Sequence, residues 1–167
     1  DMSTGIMISD AAVNIKPSEK TLKTITETMV NSLKLLGIET PKIAFLSASE
    51  MVMENMESTV VAQNLREWAK ENIKDAFFSG PLALDLIISR EAALKKGLED
   101  DPVAGQSNGI IVPEIVSGNT LYKSLVYFAG GCAAGIVLGA KVPVLLTSRA
   151  DPPEARLASI ALASILS

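Results

Sequence analysis

Ser148 and Arg149 follow the apolar run Val144-Leu145-Leu146 after Thr147, and Asp151-Pro152-Pro153-Glu154 comes one residue after them. An arginine at the end of a buried strand offers a planar fork suited to phosphate, and the serine adds a donor. The N–H groups at the start of the following helix favour an anion in the same place. The alternative is that Arg149 pairs with a carboxylate such as Asp151 or Glu154. Gly118-Asn119 forms a second group, shaping a helix N-terminus that approaches a ligand closely or merely capping the helix. Tyr122 and Lys123 fall one turn later and face either the cleft or solvent. Asp10 and Asn14 make a similar pair after the first strand, and Gly80-Pro81-Leu82 forms another small-residue corner, with Asp85 beyond it. Together these residues favour an anion without naming a reaction.

Composition narrows the chemistry. The 167 residues contain no histidine, so zinc sites of the usual types and Ser-His-Asp or Cys-His catalysis are excluded within this chain. A single cysteine, Cys132, cannot form an internal disulfide and fits a reducing cytosol. Chemistry here must rest on carboxylates, Arg, Lys, hydroxyls and backbone dipoles. A net charge of −4 argues against a general nucleic-acid binder. No apolar run approaches the roughly 18–20 residues of a membrane span. No signal peptide is expected, because Asp1-Met2-Ser3-Thr4 leads at once into Ile6-Met7-Ile8. Gly130-Gly131-Cys132-Ala133-Ala134-Gly135 is not a dinucleotide fingerprint, since it follows a helix and precedes a strand; it reads as a helix stop and close packing. No Walker-type phosphate loop occurs.

The elements that must position these residues alternate. Short apolar runs at Ile6–Ile8, Lys42–Leu46, Ala76–Phe78, Ile110–Val112, Ile136–Leu138 and Val144–Leu146 predict six strands. Leu22, Ile25, Met29, Leu33 and Leu36 recur at helical spacing after Pro17, with Gly37 as the stop. A loop is expected over Glu50–Ser58, then a helix from Thr59 with Trp68 as a packing residue. One helix is predicted through Leu82, Leu86 and Ala93 to Lys96-Gly97, one after Gly118-Asn119 through Leu121, Leu125 and Phe128, and a last one capped by Asp151. This alternation predicts one α/β domain over residues 1–167, three-layered α/β/α with a mostly parallel sheet. Ligands collect beyond the carboxyl ends of such strands, here Ser9-Asp10, Ser47, Ser79-Gly80, the run toward Gly118-Asn119, and Ser148-Arg149. An antiparallel strand would remove its residues from that set. The last helix is so low in polarity that another surface is expected over it, and a first strand with almost no leader suggests a natural chain extending upstream.

Several motifs, in order along nearly the whole chain, resemble the phosphate acetyltransferase and phosphate butyryltransferase family. They are Ser9-Asp10-Ala11-Ala12-Val13-Asn14-Ile15, Gly80-Pro81-Leu82 with Asp85, Glu91-Ala92-Ala93 with Lys96-Gly97, and Pro102-Val103-Ala104-Gly105. Gly118-Asn119 with Tyr122-Lys123, Gly135 to Ala140, and Leu145 to Asp151 complete the set. The butyryl branch and the acyltransferase half of enoyl-CoA hydratase fusions are the most similar. The resemblance implies transfer of an acetyl or butyryl group between coenzyme A and inorganic phosphate. It implies an isocitrate/isopropylmalate dehydrogenase-like architecture with a mixed sheet, a cytoplasmic homodimer, and no metal or redox cofactor, with acyl-CoA and phosphate as substrates. Ser148 and Arg149 match the family's Ser-Arg motif, to which substrate binding and charge stabilisation are assigned. Gly80, Asn14, Gly118, Asn119, Tyr122 and Lys123 are the implied substrate- or coenzyme-binding positions.

Two departures bear on catalysis. The acetyl branch has an aspartate, regarded as the base, seven places after the serine; here that position is Ala155, preceded by Glu154. Either Glu154 substitutes, or Asp10 serves, or this branch lacks the base. The family's N-terminal lobe, with its own substrate-binding serine and arginine, is expected to be absent, so the chain would correspond to the C-terminal part. The alternative function is a non-catalytic coenzyme-binding or dimerisation domain. A dehydrogenase relative on the same architecture ranks last, having neither nucleotide fingerprint nor metal carboxylate cluster.

Overall fold

The computed structural model describes residues 5–166, so the leader Asp1–Thr4 lies outside the described residues. The elements run β1 (Met7–Ser9), α1 (Glu19–Leu35), β2 (Lys42–Leu46), α2 (Glu57–Asn72), β3 (Phe77–Leu82), α3 (Leu84–Ile88), α4 (Arg90–Lys95), β4 (Gly109–Ile111), α5 (Ile115–Tyr127), β5 (Ile136–Val137), β6 (Val144–Leu145) and α6 (Pro153–Leu166). The six expected strands divide into two sheets. Four form a fully parallel sheet in the order β1-β4-β2-β3, and β5 and β6 form a separate antiparallel pair. The strand pattern explains the parallel part: its members are buried on both faces, so they read as continuous apolar runs.

Side-chain alternation assigns the layers. Ile43, Phe45, Phe78 and Ile111 face Leu22, Met29 and Leu33 of α1 and Ala62, Leu65 and Ala69 of α2. Ala44, Ile110 and Val112 face the other way, onto Leu86 and Ile87 of α3, Ala93 of α4, and Leu121 of α5. Phe45 and Phe78 stack at 6.3 Å between ring centroids. Trp68 is half-buried against the first cluster, with the Lys23 ammonium 5.5 Å over its ring, as a packing residue should be.

Several boundaries differ from expectation. Pro17, expected in the first turn of α1, lies just before it, and Ser18 caps the helix by accepting the Thr21 N–H. The helix expected after Leu82 is two short ones, broken at Ser89, whose extended backbone ends α3 and caps α4. Gly118 and Asn119 do not start a helix: Glu114 caps α5 four residues earlier by accepting the Val116 and Ser117 N–H groups. Asp151 does not cap α6; its carboxylate turns back to the Ser148 N–H. Ser79 and Gly80 lie buried inside β3 rather than at a strand end. Gly80 has φ +152°, and a Cβ there would stand 2.7 Å from that of Phe45. The Arg66 guanidinium donates to its carbonyl at 2.9 Å.

The acidic loop before β4 is built around two side chains. Asp101 accepts the Ser79 hydroxyl at 2.5 Å and the Val103 and Ala104 N–H groups at 2.8 and 2.9 Å. Arg90 donates to the carbonyls of Ala104 at 3.1 Å and Glu99 at 2.7 Å. Replacing Asp101 by alanine leaves the buried Ser79 hydroxyl and two N–H groups without partners. Asp101→Ala is expected to cost about 2–4 kcal/mol of stability, seen as a lower urea midpoint. Glu91→Ala, which removes only an exposed pair with Lys95, is expected to change stability by no more than about 0.5 kcal/mol.

Candidate functional site

The site begins with the chain leaving β1. Asp10 folds this segment onto itself: its Oδ1 accepts the Ala12 and Val13 N–H groups at 2.8 and 2.9 Å, and its Oδ2 accepts the Asn14 N–H and side-chain amide at 2.9 and 2.6 Å. Partial burial pushes the carboxyl up, but the three backbone donors and the Asn14 amide together outweigh it and hold the group below its ordinary value. Asp10 and Asn14 are therefore one unit. A carboxylate so engaged is a weak base, which argues against Asp10 as a proton acceptor.

α5 rests on that unit. A Cβ at Gly118 would stand 2.4 Å from the Asp10 carbonyl oxygen and 3.0 Å from the Ala11 Cα, so only glycine lets the helix come so close. One residue on, the Asn119 amide donates to the Ala11 carbonyl at 3.1 Å. Gly118 and Asn119 thus lock α5 to the β1 segment, and Val112 N–H bonding to the Ser9 carbonyl ties β4 to the same place. These are the carboxyl ends of β1 and β4, neighbours in the sheet although far apart in sequence.

One turn later, Tyr122 carries the connection to the Ser-Arg segment. Its hydroxyl lies 3.3 and 3.4 Å from the two carboxylate oxygens of Asp151. Asp151 Oδ2 also accepts the Ser148 N–H at 2.6 Å. Burial, followed by the Asp151 charge and hydrogen bond, raises the Tyr122 phenol above its ordinary value. The exposed Lys123 has its ammonium 5.9 Å over the Tyr122 ring. The Ser148 hydroxyl accepts the Ala150 N–H at 3.3 Å, which leaves its own proton to donate. Arg149 is exposed and pairs with neither Asp151 nor Glu154; no carboxylate among the described residues forms an ion pair with it. Glu154 is exposed in the first turn of α6.

Asp10, Asn14, Gly118, Asn119, Tyr122, Lys123, Ser148 and Arg149 therefore belong to one connected region. The strand before Ser148 and Arg149 is not buried as expected: β6 is exposed, antiparallel to β5 and outside the main sheet, so the two residues reach this region through Tyr122 and Asp151 rather than as a parallel strand's carboxyl end. Gly80 does not join them: it lies on β3, the opposite edge of the sheet from β1, three strand spacings or about 14 Å away. Asp151 is the residue that sequence reading missed as a partner in the site, although its position three residues after Ser148 was a usable signal. Ala155 has a packing role. It is 3% exposed, and one turn later the buried Ser159 donates to its carbonyl at 2.7 Å while accepting the Gly135 N–H at 3.0 Å. A separate cleft of ≈ 450 Å³, lined by Leu46, Leu84, Val116, Ser117, Thr120, Leu121 and Ser124, opens on the opposite side of α5 from Tyr122.

The fold is that of an α/β/α protein, with Ser148, Arg149, Tyr122 and Lys123 brought into one region at the end of its sheet. Residues 3–164 match the family model described as "Phosphate acetyl/butaryl transferase", and the chain belongs to that family. A probable phosphate butyryltransferase of Bacillus subtilis (strain 168) is 44% identical over 164 residues, covering 98% of this chain and 54% of the relative. A phosphate acetyltransferase of Thermotoga maritima is 40% identical over 166 residues, covering 99% of this chain and 56% of the relative. A crystal structure of a branched-chain phosphotransacylase from Enterococcus faecalis V583 superposes with a TM-score of 0.88 at 39% identity, covering 95% of this chain and 56% of that one. The chain thus spans about half the length of the relatives it matches.

Two outcomes are expected from the β1–α5 junction. Gly118→Ala should lower the melting temperature, because α5 must move away from the Asp10 carbonyl, and the displaced helix should carry Tyr122 away from Asp151. The depressed Asp10 carboxyl contributes stability that is present above the ordinary aspartate range of about 4 and lost as pH falls through the lower folded value. The stability gap between wild type and Asp10→Asn should therefore be widest near neutral pH and narrow on acidification, as followed by urea unfolding at each pH.

Proposed function

We propose that this chain carries the Ser-Arg half of a phosphate acyltransferase site, moving an acetyl or butyryl group between coenzyme A and inorganic phosphate. The observation that carries the reading is Arg149, a guanidinium that forms no ion pair with a carboxylate among the described residues, beside a serine hydroxyl with a proton to donate. In the forward direction a phosphate oxygen attacks the thioester carbonyl, the C–S bond breaks, and the thiolate leaves to be protonated. The demand on the protein is to hold a multiply charged nucleophile against a carbonyl and offset the charge, which is positioning and electrostatics. Arg149 supplies the charge and fork, and Ser148 the added donor. Lys123 adds a second cation on α5. Glu154 is the carboxylate assigned to proton transfer, since it is exposed near Arg149 in sequence while Asp10 is committed to its own loop.

Family membership supports acyl-CoA and phosphate as the substrates, with no further cofactor. The chain corresponds in this reading to the C-terminal part of the family, with the substrate-binding serine and arginine of an N-terminal lobe still required. A cytoplasmic homodimer is the assembly inferred. Its support is the lone free cysteine and the apolar surface around α6, where Leu157 is 68% exposed and Phe128, just beyond α5, is 91% exposed.

The test is thiol release from acetyl-CoA and butyryl-CoA with and without phosphate, on this chain and on a full-length protein containing it. Phosphate-dependent release that falls by at least about 100-fold in Arg149→Ala is the expected result where the site is complete. Coenzyme binding without release from the full-length protein would replace the enzyme reading with that of a binding domain.

A further inference from the structure

Arg149 has a carboxylate two residues away and yet forms no ion pair with it. The reason lies in how Asp151 is occupied. Its Oδ2 takes the Ser148 N–H at 2.6 Å, and the Tyr122 hydroxyl, reaching from α5, lies 3.3 and 3.4 Å from its two oxygens. Both groups engage the carboxylate of the half-buried Asp151, while Arg149 stays exposed. We propose that Tyr122 and Asp151 are positioning residues that keep the Arg149 guanidinium free for an external anion: Tyr122 restrains the carboxylate nearest to it in sequence. This rests on the reading that Arg149 receives phosphate, and deepens it by naming what prevents the site from closing on itself.

The two side chains come from distant parts of the sequence, so the restraint also registers the Ser148–Arg149 turn against α5. Asp151 acts through Ser148 and Arg149 rather than on substrate. An unrestrained aspartate would be a competing ligand for the guanidinium, of the partly exposed kind whose pairing shifts an equilibrium by a small factor. That makes the effect measurable and, because it is a competition, reversible by removing the competitor's charge.

Inorganic phosphate is the probe, titrated calorimetrically against the full-length protein and against this chain. Tyr122→Phe is expected to weaken phosphate binding by about 2- to 5-fold, the range of an exposed ion pair. Asp151→Asn keeps an oxygen for the Ser148 N–H and loses the charge, so it should bind phosphate at least as tightly as wild type. The double variant should recover wild-type affinity. A purely structural role for the pair predicts the opposite, with each change weakening binding and the double variant weakest, and that pattern would overturn the inference. If Arg149→Ala abolishes binding while Tyr122→Phe leaves it unchanged, the phosphate site stands and only the restraint falls. Phosphate binding indifferent to Arg149→Ala removes both. Ultraviolet titration of the phenol in a Tyr127→Phe background supplies an independent readout. Asp151→Asn should bring the Tyr122 phenol back toward its ordinary value, and an unmoved phenol would mean the contact is not made.

Discussion

The constraint on which this region depends is the approach of α5 to the backbone that leaves β1. At Gly118 the Asp10 carbonyl occupies the space that any side chain would need. Everything assigned to the site follows from that contact. Asp10 must gather its own loop so that its carbonyl lies flat beneath the helix, and Asn119 must bond the Ala11 carbonyl to hold the register. Tyr122, one turn farther along, then reaches Asp151 and fixes the turn bearing Ser148 and Arg149. The turn bearing Ser148 and Arg149 is thus placed against α5 by a carboxylate that folds its own loop and by a glycine with no side chain at all.

Two carboxylates here illustrate how the same group serves opposite ends. Asp10 is satisfied by donors within four residues, and the resulting depression of its proton affinity makes it a structural element. Asp151 takes one local donor and one from a separate helix, so it joins two parts of the molecule. Burial at position 155 has the complementary meaning. Ala155 packs α6 toward β5 through Ser159, and a carboxylate at that place would need a different surrounding from the one seen here.

The parallel sheet was legible from the apolar runs because strands covered on both faces carry no polar alternation, and the helix periodicities located α1, α2, α5 and α6. What could not be read was which runs share a sheet. Val144-Leu145-Leu146 looks like any other buried strand, but only pairing distinguishes a parallel neighbour from an antiparallel partner. Helix starts were misplaced for a similar reason: Asn119 and Asp151 have the right residue type for a cap, but Glu114 has the geometry at α5, and α1 starts after Ser18 rather than at Pro17. The residues that meet in this region were noticed by type. Their connection was not, because Tyr122 and Asp151 are 29 positions apart and meet only in space.

The antiparallel pair β5–β6 has two residues in each strand and stands apart from the four-stranded sheet, joined to the rest mainly through α6 and the Tyr122–Asp151 contact. A two-stranded ribbon of this size is marginal alone. The segment from Ile136 onward should therefore open and close as its own cooperative unit, with amide protons exchanging faster than those of β2 and β4. A ligand bridging Arg149 and α5 would hold the two units together, so its binding energy would appear partly as slowed exchange in the hairpin and in α6, far from any atom it touches.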